Sequence, residues 1–284
     1  MSDETTDISN KEQAIIFIRY VDKNYDVHED FIGMHQLSDT KSDTIFSMLK
    51  NVLQMCNLSI TNKLRCQSYD GASNMSGVKN GVATQFKKIE KRAVYIHCYG
   101  HLINLAAQDA IKTCEFLQQG LDYAYEIIKL IKFSPSREAL FIMIKNEIGD
   151  VTIGVVMLCQ TRWTVKAHSF KSIIKNYKFL IKTFEQNLEE SRTSMKPDMK
   201  ARINGIISVM TTFSHYYAFN LAYQILRHTD NLATAIQNPR LNVTQGYNLA
   251  MATVQVLEDE STEEKFQLFY SDVLKSAKGQ LISE

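Results

Sequence analysis

Several features that would place a protein in a membrane or in an oxidising compartment are missing from this sequence. Its five cysteines are widely spaced, and none of them forms a Cys-x-x-Cys pair. An odd, unpaired set favours a reducing compartment and argues against a zinc finger built from this chain alone. No apolar run approaches the ~18 residues of a membrane helix, and no charged-then-apolar leader opens the chain. We therefore expect an intracellular protein with no membrane partner.

Net charge is also nearly absent, but the charges that exist are segregated. The chain as a whole carries +1. Residues 1–43 contain ten acidic and four basic side chains, a local charge of −6. Residues 162–203 contain ten basic and four acidic side chains, a local charge of +6. Asymmetry of this size bears on binding partners rather than on fold, and no overall basic field indicates nucleic acid.

The most informative stretch of the chain is 65–105. A short apolar run ends there at Asp70, which is followed at once by Gly71 and a turn rich in Ser, Asn and Gly. After a short helix, a second apolar run leads to Cys98 and His101 at the start of another helix. A carboxylate in a tight turn at the carboxyl end of a strand is a common metal or phosphate ligand in open α/β sheets.

The residues before this stretch predict strands and one helix. Residues 3–11 are polar and turn-like. Two segments, 14–21 and 27–37, are rich in β-branched and aromatic residues and favour strands. A helix beginning at Ser42 carries apolar side chains on one face. This order implies a mixed sheet with helices on its faces.

After His101 the pattern is helical. Gly120 is expected to end the first helix, because glycine favours helix C-termini. Ser134 and the proline after it favour the start of a helix that Gly149 would close. One long amphipathic helix is predicted over 165–190. Further helices are predicted over 198–228, 241–257 and 262–279.

Three motifs carry a resemblance to one family. The chain resembles the transposase-derived domain of the hAT superfamily in YDGASNMSG at 69–77, HCYGHLINL at 97–105 and TRW at 161–163. Domains of this kind occur in MYM-type zinc-finger proteins and in the repressor of the inhibitor of the protein kinase. The resemblance implies an α/β RNase H-like core over 1–97, incomplete because its first strand is missing. A mainly α-helical insertion domain, truncated at its C-terminus, would follow over 98–284.

The resemblance also implies what the acidic residues once did. Asp3 and Asp70 correspond to the first two of three carboxylates that bind Mg²⁺ or Mn²⁺ in the ancestral enzyme. Only two residues precede Asp3, fewer than the ~5 of a strand, so the first core strand is expected to be missing. No acidic residue near the C-terminus has the motif of the third carboxylate. We therefore expect vestigial ligands, no bound cofactor and no DNA cleavage; without the resemblance, Asp70 is better explained as a turn residue.

Two further pairs of residues invite a functional interpretation. Cys98 and His101 have the right types for zinc, but a structural zinc site needs four ligands. A structural role beside the junction between core and insertion is favoured for them. Trp163 is the only tryptophan, and in the family a tryptophan at this place stacks on a DNA base turned out of the duplex, here with Arg162 beside it. A core anchor explains a lone tryptophan equally well.

Four lysines form a stripe on the helix predicted over 165–190. Lys171, Lys175, Lys178 and Lys182 are spaced four, three and four residues apart, which places them on one helical face. A phosphate partner would relieve the repulsion within such a stripe. A solvated surface explains most lysine stripes.

These observations lead to one functional hypothesis and two alternatives. The first is a fragment of a domesticated hAT-type transposase, catalytically inactive and retained as a nuclear DNA- or protein-binding module. The first alternative is a transcriptional regulator module that binds proteins, including further copies of itself. The second is a truncated product with no independent function.

Overall fold

The computed structural model describes residues 1–7, 9, 11–158, 166–191, 193–280 and 282. Backbone contacts divide the chain into two compact units. Unit 1 comprises residues 1–103 and 236–242, and unit 2 comprises 104–235 and 243–284.

Unit 1 contains all the strands of the described residues. Its elements are β1 (Ser2–Thr6), β2 (Glu12–Val21), β3 (Val27–Gln36), α1 (Ser42–Met55), β4 (Cys66–Tyr69), α2 (Ser73–Ser76), α3 (Val82–Ile89), β5 (Val94–His97) and the start of α4 (Tyr99–Lys112). Strands β1, β2 and β3 form an antiparallel sheet in that order, and β4 pairs in parallel with β5. The predicted single mixed sheet is therefore wrong: two small sheets are present, and β1 approaches β4 without a shared ladder.

The strand β1 corrects two predictions. Residues 3–11 were expected to be turn-like and the first core strand to be missing, yet Ser2–Thr6 forms a five-residue strand. Its backbone pairs with the apolar strand β2, with Asp3 opposite Ile15 and Glu4 opposite Ala14. The Met1 ammonium also donates a hydrogen bond to the Phe17 carbonyl oxygen at 2.8 Å. Backbone pairing with β2 thus stabilises a strand although the side chains of β1 are polar.

The core of unit 1 lies on one face of the β1–β3 sheet. Ala14 and Ile16 are fully or nearly fully buried there. They share a cluster with Ile45 and Leu49 of α1 and Phe86 of α3. Because successive strand residues alternate between faces, Glu4 points to this same side and Asp3 to the other.

In its described residues, the regular secondary structure of unit 2 is entirely helical. After α4 come α5 (Glu115–Lys132), α6 (Pro135–Glu147), α7 (Lys166–Lys175), α8 (Tyr177–Glu190), α9 (Pro197–Met210), α10 (Phe213–Ile236), α11 (Val243–Glu260) and α12 (Glu263–Ala277). Its core is built around large aromatic side chains of α7, α8 and α10: Phe170, Tyr177, Phe184, Tyr216 and Phe219. In the described residues, no helix has the length and apolarity to cross a lipid bilayer.

The helix boundaries confirm some predictions and correct others. Helix α6 begins after Ser134, whose hydroxyl accepts a hydrogen bond from the Arg137 N–H, and Gly149 follows it with φ 72°. Gly120 does not end a helix. It lies inside α5, where a β-carbon would sit 3.2 Å from that of Ala218, so the glycine permits close packing of two helices.

The helix predicted over 165–190 is divided at Asn176. Helix α7 ends at Lys175 and α8 begins at Tyr177, with Asn176 at φ −101° and ψ 9°. Its side-chain amide donates to the carbonyl oxygens of Ser172 and Ile153, at 2.7 and 2.9 Å. A side chain that bonds to its own helix backbone and to a neighbouring segment accounts for the break.

Candidate functional site

The parallel pairing of β4 and β5 brings the central motifs together. Tyr69 at the end of β4 lies opposite His97 at the end of β5, so Asp70 and Cys98 follow at the same sheet edge. A β-carbon on Gly71 would lie 2.6 Å from Cε1 of His97. The glycine of the Asp-Gly pair is therefore required by the imidazole ring packed against it.

Asp70 is held within its own turn. Its Oδ1 accepts a hydrogen bond from the Ala72 N–H at 3.1 Å, and its carbonyl oxygen accepts one from the Tyr95 hydroxyl at 2.7 Å. The Ser76 hydroxyl donates to the Gly71 carbonyl oxygen at 3.0 Å. This geometry matches the simple turn interpretation of the Asp-Gly pair, and it leaves a carboxylate at the strand end.

The carboxylate of β1 that interacts with Asp70 is Glu4, which the sequence interpretation missed. Burial raises the pKa of Glu4 to about 7, and the charges of Asp70, Glu12 and Asp3 add to the shift. The Asn74 amide, 3.4 Å away, opposes it by donating to the Glu4 carboxylate. Asp3 itself is exposed on the other face of the strand. The alternation of side chains along a strand could have identified Glu4, because it places adjacent acidic residues on opposite faces of the sheet.

The described residues include no cluster of side chains that would form a metal centre. Among the described residues, no three side chains of His, Cys, Asp or Glu are placed so that they can hold one ion. Two-metal phosphoryl transfer needs several carboxylate ligands around ions ~3.5–4 Å apart. The assignment of Asp3 and Asp70 as ancestral metal ligands therefore stays a prediction from the resemblance.

Cys98 and His101 lie where β5 gives way to α4. The Cys98 carbonyl oxygen accepts the Leu102 N–H at 3.0 Å and so joins the first turn of the helix. The His101 ring is 6.4 Å from that of His97, centroid to centroid. The Nε2 atom of His97 is buried and has no hydrogen-bond partner in the described part of the chain. Among the described residues, no further side chains complete the set of ligands that zinc would need.

The lysine stripe extends across the break between α7 and α8. Lys171 and Lys175 of α7 and Lys182 of α8 are exposed, and Lys178 is half-buried. The Lys178 ammonium lies 4.9 Å from the centroid of the Phe179 ring. Arg162 and Trp163, the other predicted nucleic-acid contacts, lie outside the described residues.

A row of polar side chains on α7 fixes the segment that precedes it. Ser169 donates to the Met157 carbonyl oxygen at 3.1 Å, and Ser172 accepts the Val156 N–H at 3.0 Å. With Asn176, which bonds to the Ile153 carbonyl oxygen, these residues are spaced three and four apart on one buried helix face. The sequence held a signal for this row, namely Ser and Asn at helical spacing among apolar residues.

A buried lysine, Lys145 of α6, completes this network. Its side chain is 7% exposed, and its ammonium donates to the carbonyl and hydroxyl oxygens of Thr152 at 2.6 and 2.9 Å and to Asn176 Oδ1 at 2.8 Å. Asp150 lies 3.4 Å from it and supplies the countercharge. Buried charges are retained when they are paired and hydrogen-bonded in this way. Nothing in the sequence pattern distinguished Lys145 from the exposed lysines.

Comparison with known proteins connects both parts of the chain to transposase-derived proteins. Residues 1–81 match the family model described as ZMYM1/FAM200, RNase-like domain. Residues 96–209 match the family model described as ZBED1 RNase-like helical domain. The resemblance to a hAT-type, transposase-derived domain is confirmed.

A curated relative also matches part of this chain. General transcription factor II-I repeat domain-containing protein 2 of Bos taurus is 36% identical over 86 residues. The matched stretch is 30% of this chain but only 9% of that relative, so the chain spans a small part of its length. The family models thus match an RNase-like part and a helical part of this chain.

Proposed function

We propose that this chain is a domesticated hAT-type transposase module that binds nucleic acid in the nucleus without cutting it. In this proposal, unit 1 derives from an RNase H-like core and unit 2 from the helical insertion domain. The nuclear location is suggested by the name of the curated relative, which contains a repeat domain named after a general transcription factor. The observation that carries the proposal is the lysine stripe on α7 and α8, three of whose four members are exposed.

The stripe has the form of a phosphate-binding surface. The opposite sides of α7 and α8 are buried in the core of unit 2, so the two helices are held rigidly by packing. From Lys171 to Lys182 they extend for about 16 Å, roughly five base-pair steps of duplex DNA. Like charges at helical spacing destabilise a helix unless an anion neutralises them. Contacts of this kind bind DNA without selecting a sequence.

The proposal includes no cleavage step. Glu4 in the middle of β1 and Asp70 just after β4 are the carboxylates of these two strands with the strongest interaction. Two acids in a metal-dependent nuclease fold are fewer than the ligands that two divalent ions require. Binding alone is what the described residues support.

Replacing the four stripe lysines with glutamine tests the proposal. Lys171→Gln, Lys175→Gln, Lys178→Gln and Lys182→Gln together should weaken binding to a fluorescent DNA duplex similarly for any sequence. The slope of log affinity against log salt should fall by up to about 3.6, because up to four fewer counterions are released. Fluorescence anisotropy over a salt series measures both quantities.

A matched control removes the same charge from unit 1. Lys79→Gln, Lys87→Gln, Lys88→Gln and Lys91→Gln change four exposed lysines there and should leave affinity and salt slope nearly unchanged. Equal effects of the two quadruple variants would mean that net charge matters and the stripe does not. Unchanged binding by the stripe variant would contradict the proposal and mean that the lysine stripe is a solvated surface.

The alternative function, a protein-binding module, has its own observation. Large apolar side chains of α11 and α12 remain exposed, among them Tyr247 and Leu268. A partner that binds there should be captured with little dependence on salt, because apolar contacts release few counterions. Salt-insensitive capture by a chain that does not bind DNA would favour this second function.

A further inference from the structure

Strand β5 has one open edge in the described part of unit 1. It pairs in parallel with β4, and no other described strand pairs with it. The pairing uses the backbone groups of alternate residues, so the Val94 N–H donates to the Arg65 carbonyl oxygen at 2.9 Å. The backbone groups of Tyr95 and His97 therefore point away from β4, toward the open edge. An edge with free backbone groups can accept a further strand.

The side chains of β5 make the face next to this edge apolar. Val94 and Ile96 are 58% and 37% exposed. Tyr95, between them, packs against the core of unit 1 instead, and its hydroxyl donates to the Asp70 carbonyl oxygen at 2.7 Å. A strand added to the edge would bring its own side chains beside Val94 and Ile96.

The buried carboxylate of Glu90 connects the two segments that lead into β4 and β5. Its side chain is 6% exposed and accepts a hydrogen bond from the Asn62 N–H at 2.5 Å. The Arg92 guanidinium donates to both oxygens of this carboxylate, at 2.8 and 2.9 Å. Arg92 also donates to Asn62 Oδ1 at 2.9 Å. These bonds fix the residues before β4 beside the residues before β5.

This arrangement collects positive charge at the start of β5. The two segments, 61–65 and 87–92, carry six exposed cations: Lys63, Arg65, Lys87, Lys88, Lys91 and Arg92. Their one carboxylate, that of Glu90, is buried. We call the six cations the β5 basic patch. A surface of one charge sign favours a partner of the opposite sign.

We propose that an extended acidic segment of another protein adds to the open edge of β5 as a third strand of the β4–β5 sheet. Its backbone pairs with the free groups of Tyr95 and His97. Its apolar side chains lie beside Val94 and Ile96, and its carboxylates contact the β5 basic patch. In this binding mode the main-chain hydrogen bonds give affinity and the side chains give specificity. A protein segment fits better than nucleic acid, because the apolar face of β5 has no charge to offer a phosphate.

Synthetic peptides test the strand pairing directly. A fluorescent peptide of sequence EEVTVTEE should bind the full chain, and KKVTVTKK should bind at least about ten-fold more weakly. Two further versions of EEVTVTEE are N-methylated at both valines or at both threonines. Successive N–H groups of a strand point to opposite edges, so only one of these two peptides should lose binding. Fluorescence anisotropy measures all four affinities.

Paired charge reversals test the basic patch. Lys63→Glu with Lys91→Glu should weaken the binding of EEVTVTEE at least about ten-fold, because close charges become repulsive. Lys23→Glu with Lys79→Glu, at exposed positions elsewhere in unit 1, should change it much less, because salt screens distant charges. Circular dichroism checks that both double variants fold.

Several outcomes would overturn the proposal. They are a chain that does not bind EEVTVTEE, equal binding of the two N-methylated peptides, and equal effects of the two double variants. A DNA oligonucleotide that binds the chain less tightly after Lys63→Glu with Lys91→Glu, while EEVTVTEE does not bind, would assign the patch to nucleic acid. The edge lies in unit 1, so none of these results depends on the lysine stripe of unit 2.

Discussion

At the scale of single residues, Gly71 and His97 couple the two central motifs. Gly71→Ala would place a β-carbon 2.6 Å from the His97 ring, and overpacking of this kind costs about 1–3 kcal/mol. In a His97→Ala background the ring is gone, and the same substitution should cost much less. Urea denaturation of the two single variants and the double variant measures this coupling.

The matched control is a glycine with free space around it. Gly205 lies inside α9, and nothing would approach its β-carbon within 4 Å. Gly205→Ala should therefore stabilise the protein by roughly 0.5–1 kcal/mol, because alanine suits a helix interior better. An equal cost of Gly71→Ala with and without His97 would mean that the ring does not make the glycine necessary.

The residues of the central stretch show how much of the site could be predicted. Asp70 at a strand end and Cys98 before a helix were found, because turn chemistry and apolar runs are local signals. Glu4 was missed, because its importance arises from a partner 66 positions away. The resemblance assigned a role to Asp3. Side chains alternate along a strand, so Asp3 and Glu4 lie on opposite faces, and Glu4 lies on the face of the core.

At the scale of elements, local sequence signals predicted some helix ends correctly. They failed to predict the boundaries that depend on tertiary contacts. Helix α6 is bounded as predicted, by Ser134 at its start and Gly149 after its end. The break at Asn176 depends on the carbonyl oxygen of Ile153, which no periodicity reveals. The strand β1 likewise depends on pairing with β2. Elements that exist through distant partners are invisible to pattern alone.

The network around Lys145 should fix the path of the segment before α7. Lys145→Met keeps most of the volume but leaves the oxygens of Thr152 and Asn176 without their donor. Of these two, Asn176 is buried, and a buried acceptor left unpaired costs about 1–3 kcal/mol. Lys182→Met, at an exposed position of α8, should change stability by less than about 0.5 kcal/mol.

Proteolysis tests whether Lys145 fixes the path of the segment before α7, separately from its effect on stability. Limited digestion followed by mass spectrometry should show faster cleavage within residues 150–158 in Lys145→Met than in Lys182→Met. Loss of stability without faster cleavage in that segment would make Lys145 a core residue with no effect on the path of the chain.

At the scale of the whole molecule, two separate hydrophobic cores predict two unfolding transitions. Phe86 is buried in the core of unit 1 and Phe219 in that of unit 2, and the two clusters share no residue. Truncating a buried phenylalanine to alanine costs about 3–5 kcal/mol. Phe86→Ala should therefore lower one calorimetric transition and Phe219→Ala the other, each leaving its companion in place.

The path of the chain could couple the unfolding of the two cores, because unit 1 is assembled from two separate parts of the sequence. Residues 236–242 belong to unit 1, although they comprise the last residue of α10 and the loop that leads to α11, and the rest of both helices belongs to unit 2. Within unit 1, the Arg19 guanidinium donates to the Pro239 carbonyl oxygen at 2.8 Å. If that return segment couples the cores, both phenylalanine variants will shift a single transition, and the chain will behave as one cooperative unit. In that case, Arg19→Ala should separate the single transition into two. If the cores already unfold separately, Arg19→Ala should leave the transition of unit 2 unchanged.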